Sequence, residues 1–336
     1  MRWDAAASSR YNRGMVELAR LNDQARERAI RLDDVDWAIP IDHTRQWVPP
    51  ELHPLTHTAT WERLEPDEAL AANQMYGLAL AEQFVLLEEH LLNRVVESIQ
   101  AHAGYRERWK DEPALLEALE HLHAEETVHS EMFWRLCEHA DPESYRERRF
   151  RLIPVTRFSM ALLRGIFSFP AVFPFWCWVG AIFEEKTISF ARSYAAAGDA
   201  VDPTFARVHH LHMLDEVRHC ALEHELVGRL WRDIGPIRRS VNLWAFATFL
   251  KNFTRPSRSI LLRFDVLSER FPRLRALRPE LARELRALPH NASWLEASFS
   301  PRVLPGCFKL FDAYPEVGAV VRDLVGPVGD GADSKG

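Results

Sequence analysis

The sequence predicts an all-α protein organised around four long helices, and three observations carry that expectation. Apolar residues recur at i, i+3, i+4 and i+7 through Leu70–Ile99, Ala114–Cys137, Phe173–Ala197 and Thr204–Trp231. Each block is bounded by a helix breaker: Pro66, Pro113, Pro142, Gly198 with Pro203, and Gly235-Pro236. Alternating strand patterns are scarce, and no Asn-Gly or Asp-Gly turn joins two of them. Four helices of roughly 24–30 residues are what a four-helix bundle requires.

The remaining elements follow in order. Residues 1–65 form an N-terminal arm packed on the bundle, with one helix near Arg13–Leu32 and then a Pro- and Trp-rich stretch through Trp37, Trp47, Pro49, Pro50 and Trp61. Residues 66–235 are the core bundle, and 236–326 supply C-terminal helices completing the same domain. Residues 327–336 read as a disordered tail. Gly165–Phe183 carries no charged residue and is long enough to span a membrane. Pro170 and Pro174 interrupt it and it runs straight into Glu184 and Glu185, so it is read as a buried helix with no stable membrane insertion. A monotopic membrane contact is the alternative.

Composition narrows the function classes. With 336 residues, 47% of them hydrophobic, the chain can build a sizeable core. A net charge of −6 with scattered Lys and Arg argues against a nucleic-acid partner. Cys137, Cys177, Cys220 and Cys307 are widely spaced, form no C-x-x-C pair and read as reduced thiols of a cytoplasmic protein. There is no Gly-rich phosphate loop.

Chemistry enters with a repeated five-residue pattern. Glu125-Glu126-Thr127-Val128-His129 and Asp215-Glu216-Val217-Arg218-His219 both read acidic-Glu-x-x-His. Residues i and i+3 of a helix project from one face about a turn apart, so each Glu and His can ligate one metal while another carboxylate bridges to a neighbouring ion. Ferritin-like dimetal bundles use two such helices and a single Glu from each of two others. One Glu-x-x-His alone means little, and Glu120 with His123 is a third match. Glu120 lies about 240° from Glu126 on the helical wheel, off the apolar stripe, so that match reads as a solvated pair.

On the first block, the apolar residues from Leu80 to Ile99 have a mean direction close to Glu88, with Glu89 about 100° away. A carboxylate in the middle of an apolar face is costly unless paired or metal-bound, which singles out Glu88. The third block offers Glu184 and Glu185, and because that helix is apolar nearly all round, phase does not choose between them. His212 precedes Glu216 by four residues and shares its face, and it joins the candidate ligands. His209 and His210 read as surface histidines.

Four buried Glu would be balanced by two divalent ions, and their mutual repulsion makes metal-free burial unfavourable. Mixed carboxylate and imidazole ligation with open positions suits redox iron or manganese rather than structural zinc. Glu125 and Asp215 are placed to accept hydrogen bonds from ligand imidazoles, with Arg218 pairing one of them.

At this point the sequence resembles a known group. Asp215-Glu216-Val217-Arg218-His219 is similar to the D-E-x-R-H motif of diiron carboxylate oxygenases, and the fuller set, with His212 completing an H-x-x-x-E-x-x-H string, resembles the p-aminobenzoate N-oxygenase family. The resemblance covers Leu70–Trp231. Aligned without gaps to the histidine motif, the family's third-helix glutamate falls on Glu185, with Ile188 and Pro203 also matching, and its first-helix glutamate falls on Glu88, with Glu82 six residues earlier.

The resemblance implies a seven-ligand site of Glu88, Glu126, His129, Glu185, His212, Glu216 and His219. That site would hold two Fe ions cycling between Fe2+ and Fe3+, with O2 as co-substrate. It implies oxidation of the amino group of a small-molecule amine, through hydroxylamine towards nitroso or nitro, in secondary metabolism and with an external electron donor. The aromatic run Phe173, Phe175, Trp176, Trp178 and Phe183 before Glu185 departs from the family pattern and leaves the substrate open. A C–H hydroxylase or desaturase acting on an aliphatic chain is the nearest alternative, and an iron-binding storage bundle the non-enzymatic one. A radical-generating subunit would carry Tyr where Phe133 stands. Buried aromatic-rich helices favour a homodimer.

Overall fold

The computed structural model describes residues 17–325, apart from 233 and 256. Fifteen α-helices are described: α1 over 17–27, α2 (Pro66–Leu87), α3 (Asn93–Ala101), α4 (Ala103–Arg108), α5 (Pro113–Ala140), α6 (Pro142–Tyr145), α7 (Arg157–Phe167), α8 (Trp176–Ala197), α9 (Pro203–Leu230), α10 (Pro236–Phe253), α11 (Ser257–Arg270), α12 (Arg278–Ala287), α13 (Ala292–Ser298), α14 (Pro305–Ala313) and α15 (Pro315–Val325). The class is all-α, as expected. Among the described residues, extended pairing is limited to one parallel bridge, Gln46 with Val201. No described helix is long and apolar enough to cross a membrane.

The four expected blocks are α2 continuing into α3, α5, α8 and α9. Their ends follow local chemistry. Pro66 begins α2 at a position needing no N–H, behind a capping box in which Glu68 accepts from the Glu65 amide at 2.9 Å. Asp202 caps α9, accepting from the amides of Thr204 (2.9 Å) and Phe205 (3.0 Å). Gly198, at φ 51°, ends α8 in a conformation that a side chain would strain.

Four details differ from expectation. The helix expected at Arg13–Leu32 is described over 17–27 and stops before the acidic turn Leu32–Asp34, where Asp34 takes the Arg31 amide at 2.8 Å. The third block starts at Trp176 rather than Phe173, because Pro170 and Pro174 hold the preceding residues in turns. The stretch before it contains a separate helix, α7. Finally, α2 and α3 are joined by a π-helical turn, Glu88–Leu92, which begins on the glutamate singled out above. The tail 327–336 and residues 13–16 lie outside the described residues.

The core bundle is two hairpins, α2/α3 with α5 and α8 with α9. One apolar cluster contains Leu119, Leu122, Ile182 and Leu222, and another contains Phe84, Phe133, Val208 and Leu211. The layer of polar side chains described below lies between them. A third cluster joins Leu55, Ala71 and Ala72 to Ile260, Phe264, Leu281 and Leu285, so the N-terminal arm and the C-terminal helices meet on α2.

The arm is fixed by Asn73. Its Oδ1 accepts from the amides of Trp47 (2.8 Å) and Val48 (3.1 Å), and its Nδ2 donates to the Val48 carbonyl at 2.7 Å. Asn73→Ala should therefore destabilise the fold by about 1–3 kcal/mol, because it leaves two buried amides without acceptors. Denaturant unfolding of the variant checks this, and an unchanged midpoint would show the arm to be held elsewhere.

Candidate metal centre

Helix α5 carries Glu126 and His129 inward, α9 carries His212, Glu216 and His219, and the α2/π junction carries Glu88. All six are buried. They form two groups, Glu126/His129/Glu216/His219 and Glu88/His129/His212, and within each group the candidate ligand atoms lie within 4.8 Å of one another. The groups share His129. His212 Nε2 stands 3.0 Å from Glu88 Oε1 and 2.8 Å from Glu216 Oε1. His129 Nδ1 stands 3.4 Å from Glu216 Oε1, and His219 Nδ1 stands 3.1 Å from Glu126 Oε1.

On the third helix it is Glu184, and not Glu185, that faces this group. Glu184 Oε2 lies 3.7 Å from His219 Nδ1. Glu185 turns the other way, where its two oxygens accept from the backbone amides of Gly306 (2.6 Å) and Cys307 (2.7 Å) at the start of α14. A Cβ on residue 306 would come within 2.8 Å of Glu185 Oε1, so the carboxylate fits against that backbone because the residue is glycine. The gapless alignment pointed to Glu185, whereas the carboxylate oriented towards the cluster is that of Glu184. A helix apolar on every side gives no phase from which to correct it.

Outside this ring lies a crossed set of bonds. His129 Nε2, on α5, meets Asp215 Oδ2 of α9 at 3.1 Å, while His219 Nε2, on α9, meets Glu125 Oε2 of α5 at 2.8 Å. Arg218 donates to both carboxylates, to Asp215 at 2.5 Å and Glu125 at 2.6 Å. A proton held on each Nε2 leaves each Nδ1 lone pair facing the interior, the tautomer a metal needs.

The electrostatics match. Burial, then Glu126 and Glu184, holds the Glu88 carboxyl well above its ordinary range, and burial and Glu184 raise Glu126. Burial, reinforced by the neighbouring imidazoles, pushes His212 well below its ordinary value. Against burial, the neighbouring carboxylates of Glu125, Glu126 and Glu184 hold His219 well above its ordinary value.

Whether the residues suit metal ions can be judged from their unpaired atoms. Both Glu126 oxygens, Glu88 Oε2, Glu216 Oε1 and His129 Nδ1 are buried without a hydrogen-bond partner among the described residues. Such atoms are rarely left orphaned, and their convergence on one space lined by carboxylate and imidazole suits cations with hard and borderline preferences.

Other assignments changed on folding. Glu120 is exposed, but His123 pairs with Asn93 Oδ1 at 2.9 Å instead of with Glu120. His210 is exposed as expected, whereas His209 is buried, stacked on Tyr194 at 4.3 Å and pushed down to about 3 by burial. Glu223, one turn beyond His219, was not anticipated. It is buried with Oε2 unpaired, and burial and Glu184 hold its carboxyl well above the usual range. A Cβ on residue 180 would come within 2.8 Å of its Oε1, so Gly180 makes its room. Its position four residues after His219 was the available signal.

A cavity of about 340 Å³ adjoins the centre. Its wall includes Phe84, whose ring lies 4.9 Å from that of His212, and Thr187, one turn after Glu184. Phe183, Phe190 and Phe253 add aromatic rings to an otherwise mixed wall, and Lys186 and Arg263 also line it. Burial alone pushes the Lys186 ammonium down to about 7.

Fold and site together define a helical bundle with a buried carboxylate–histidine cluster that could hold metal ions. The family model described as P-aminobenzoate N-oxygenase AurF matches residues 14–301. The chain therefore belongs to that family of amine N-oxygenases. Comparison with curated proteins gives no match.

Two outcomes are expected. Glu184→Ala should lower the metal bound per chain on elemental analysis, while Glu185→Ala should leave it unchanged and cost up to about 2 kcal/mol of stability through α14. The reverse pattern would restore Glu185 as the ligand. For pH, a carboxyl whose folded-state pKa is raised stabilises at low pH and loses that contribution as pH climbs through the raised value. Glu88 and Glu126 thus burden the metal-free protein progressively, and Mn2+ relieves them. The rise in Tm on adding Mn2+ should be larger at about pH 8 than at about pH 5.5. A shift independent of pH would mean that neither carboxyl meets the ion.

Proposed function

We propose that this chain is an O2-dependent amine N-oxygenase with a dinuclear iron centre, acting on a small-molecule amine of secondary metabolism and drawing electrons from an external donor. The observation that carries the reading is the pair of buried ligand groups sharing His129, beside an aromatic cavity, in a chain of this family.

Glu88, Glu126, Glu184 and Glu216, with His129, His212 and His219, would hold the ions, four carboxylates balancing two divalent charges. When bound, the iron pair supplies the redox chemistry of O2. The protein's part is placement. Asp215 and Glu125 fix the imidazole tautomers, and Arg218 fixes both acids. Phe84 and Phe133, whose rings lie 4.9 and 5.0 Å from that of His212, would keep water from it, and the cavity would orient the amine towards it.

The test uses iron-loaded, chemically reduced protein with O2 and a panel of aromatic and aliphatic amines. Hydroxylamino, nitroso or nitro products by mass spectrometry are expected, at about two irons per chain. Oxygen found only on carbon would move the assignment to a C–H hydroxylase, and no O2 consumption would remove it. We also infer a homodimer. Ile237 (81% exposed), Phe158 (80%) and Trp244 (70%) are apolar residues standing in solvent on α7 and α10, which supports a covered face. Sedimentation at the mass of one chain would exclude it.

A further inference from the structure

Glu223 is a buried acid that the seven-ligand set leaves out. It stands one turn beyond His219 on α9, at 1% exposure, and its Oε2 has no hydrogen-bond partner among the described residues. The turn around it is otherwise apolar, since Leu222, Leu226 and Val227 are all buried. The charges it feels are those of Glu184, His219 and Glu126, all members of the cluster. Residues three and four apart on a helix lie side by side, so Glu223 continues the face that carries Glu216 and His219. Its carboxyl nevertheless lies outside both ligand groups. It rests against Gly180, one turn before Glu184 on α8, where a Cβ would come within 2.8 Å of Oε1 and 2.9 Å of the carboxyl carbon.

An unpaired carboxyl buried beside other carboxyls is costly, and Leu would continue the apolar stripe without that cost. An acid that only filled space would have a donor, because buried polar atoms are rarely left without one. Gly180 instead gives this carboxyl a place to rest beside the cluster. Charge suggests what it rests there for. Four carboxylates balance two divalent ions, so Glu223 is surplus while both irons are Fe2+. Each ion oxidised to Fe3+ adds a positive charge that the four do not match, and hard cations take oxygen ligands. We propose that Glu223 is a further metal-ligating carboxylate, one that moves off Gly180 onto the ion held by Glu184 and His219 when that ion is Fe3+. The movement is a rotation about side-chain bonds. It makes one coordinate bond and gives up only the contact with Gly180. The iron electron goes to O2, any proton displaced from the carboxyl goes to solvent, and Glu223 is neither oxidised nor reduced. This deepens the dinuclear-iron reading and rests on it.

The test uses the iron-loaded full chain. Its Fe3+/Fe2+ midpoint is read by optical redox titration with dithionite and mediators, and each oxidation state is read by Mössbauer spectroscopy. Glu223→Gln keeps the shape and removes the charge, and it should raise the midpoint by at least about 59 mV, a tenfold shift towards Fe2+ per electron. The signal of one Fe3+ ion should change, while the Fe2+ signals stay those of the unmodified protein. Gly180→Ala keeps the acid, takes away its resting place and should move the midpoint the other way. An unchanged midpoint in Glu223→Gln overturns the proposal, as does a shift of the same sign in both variants. A raised midpoint with unaltered Fe3+ signals also overturns it, since Glu223 would then act through space and bind no metal. Calorimetric Mn2+ affinity should be the same with and without Glu223→Gln, and a tenfold loss would overturn the dependence on oxidation state. An unmodified chain that binds no iron pair removes the dinuclear reading itself. A normally loaded chain whose signals ignore Glu223 removes only this inference.

Discussion

The mutual repulsion of four buried carboxylates is the constraint on which the rest of this structure depends. Glu88, Glu126, Glu184 and Glu216 come from four different helices and meet in a space closed to water. Their crowding holds the Glu88 and Glu126 carboxyls above the ordinary range and works to push the helices apart. The bundle resists in two ways. Apolar clusters clamp the polar layer from both sides, one through Leu122 and Leu222, the other through Phe84 and Phe133. The imidazoles interleave with the carboxylates, so that each ring nitrogen facing inward meets an acid.

The crossed outer bonds explain why each motif begins with an acid. Asp215 serves the histidine of α5, and Glu125 serves the histidine of α9. Neither acid supports the histidine of its own motif. A slip of α5 along α9 would break both contacts at once and also strip Arg218 of its two partners. The acidic-Glu-x-x-His string therefore encodes the register between two helices as well as two inward-facing side chains that could ligate a metal.

Much of this was legible in the sequence where helical phase carries information. Glu126 and His129 lie on a stripe with polar residues opposite, and Glu88 is the acid on an apolar face. The wheel worked for Glu88 because the helix is regular up to that residue and the π turn begins on it. Phase failed on α8, where Trp176, Trp178, Ile182 and Phe190 surround the axis and leave neighbouring acids indistinguishable. Resemblance then chose Glu185, while the folded chain uses that residue to hold α14. His209 was misread because a run of histidines looks solvated, yet its ring fills a gap against Tyr194, Phe84 and Phe133. The cavity was not legible at all, since α8, α10, α11 and α13 assemble it from residues distant in sequence.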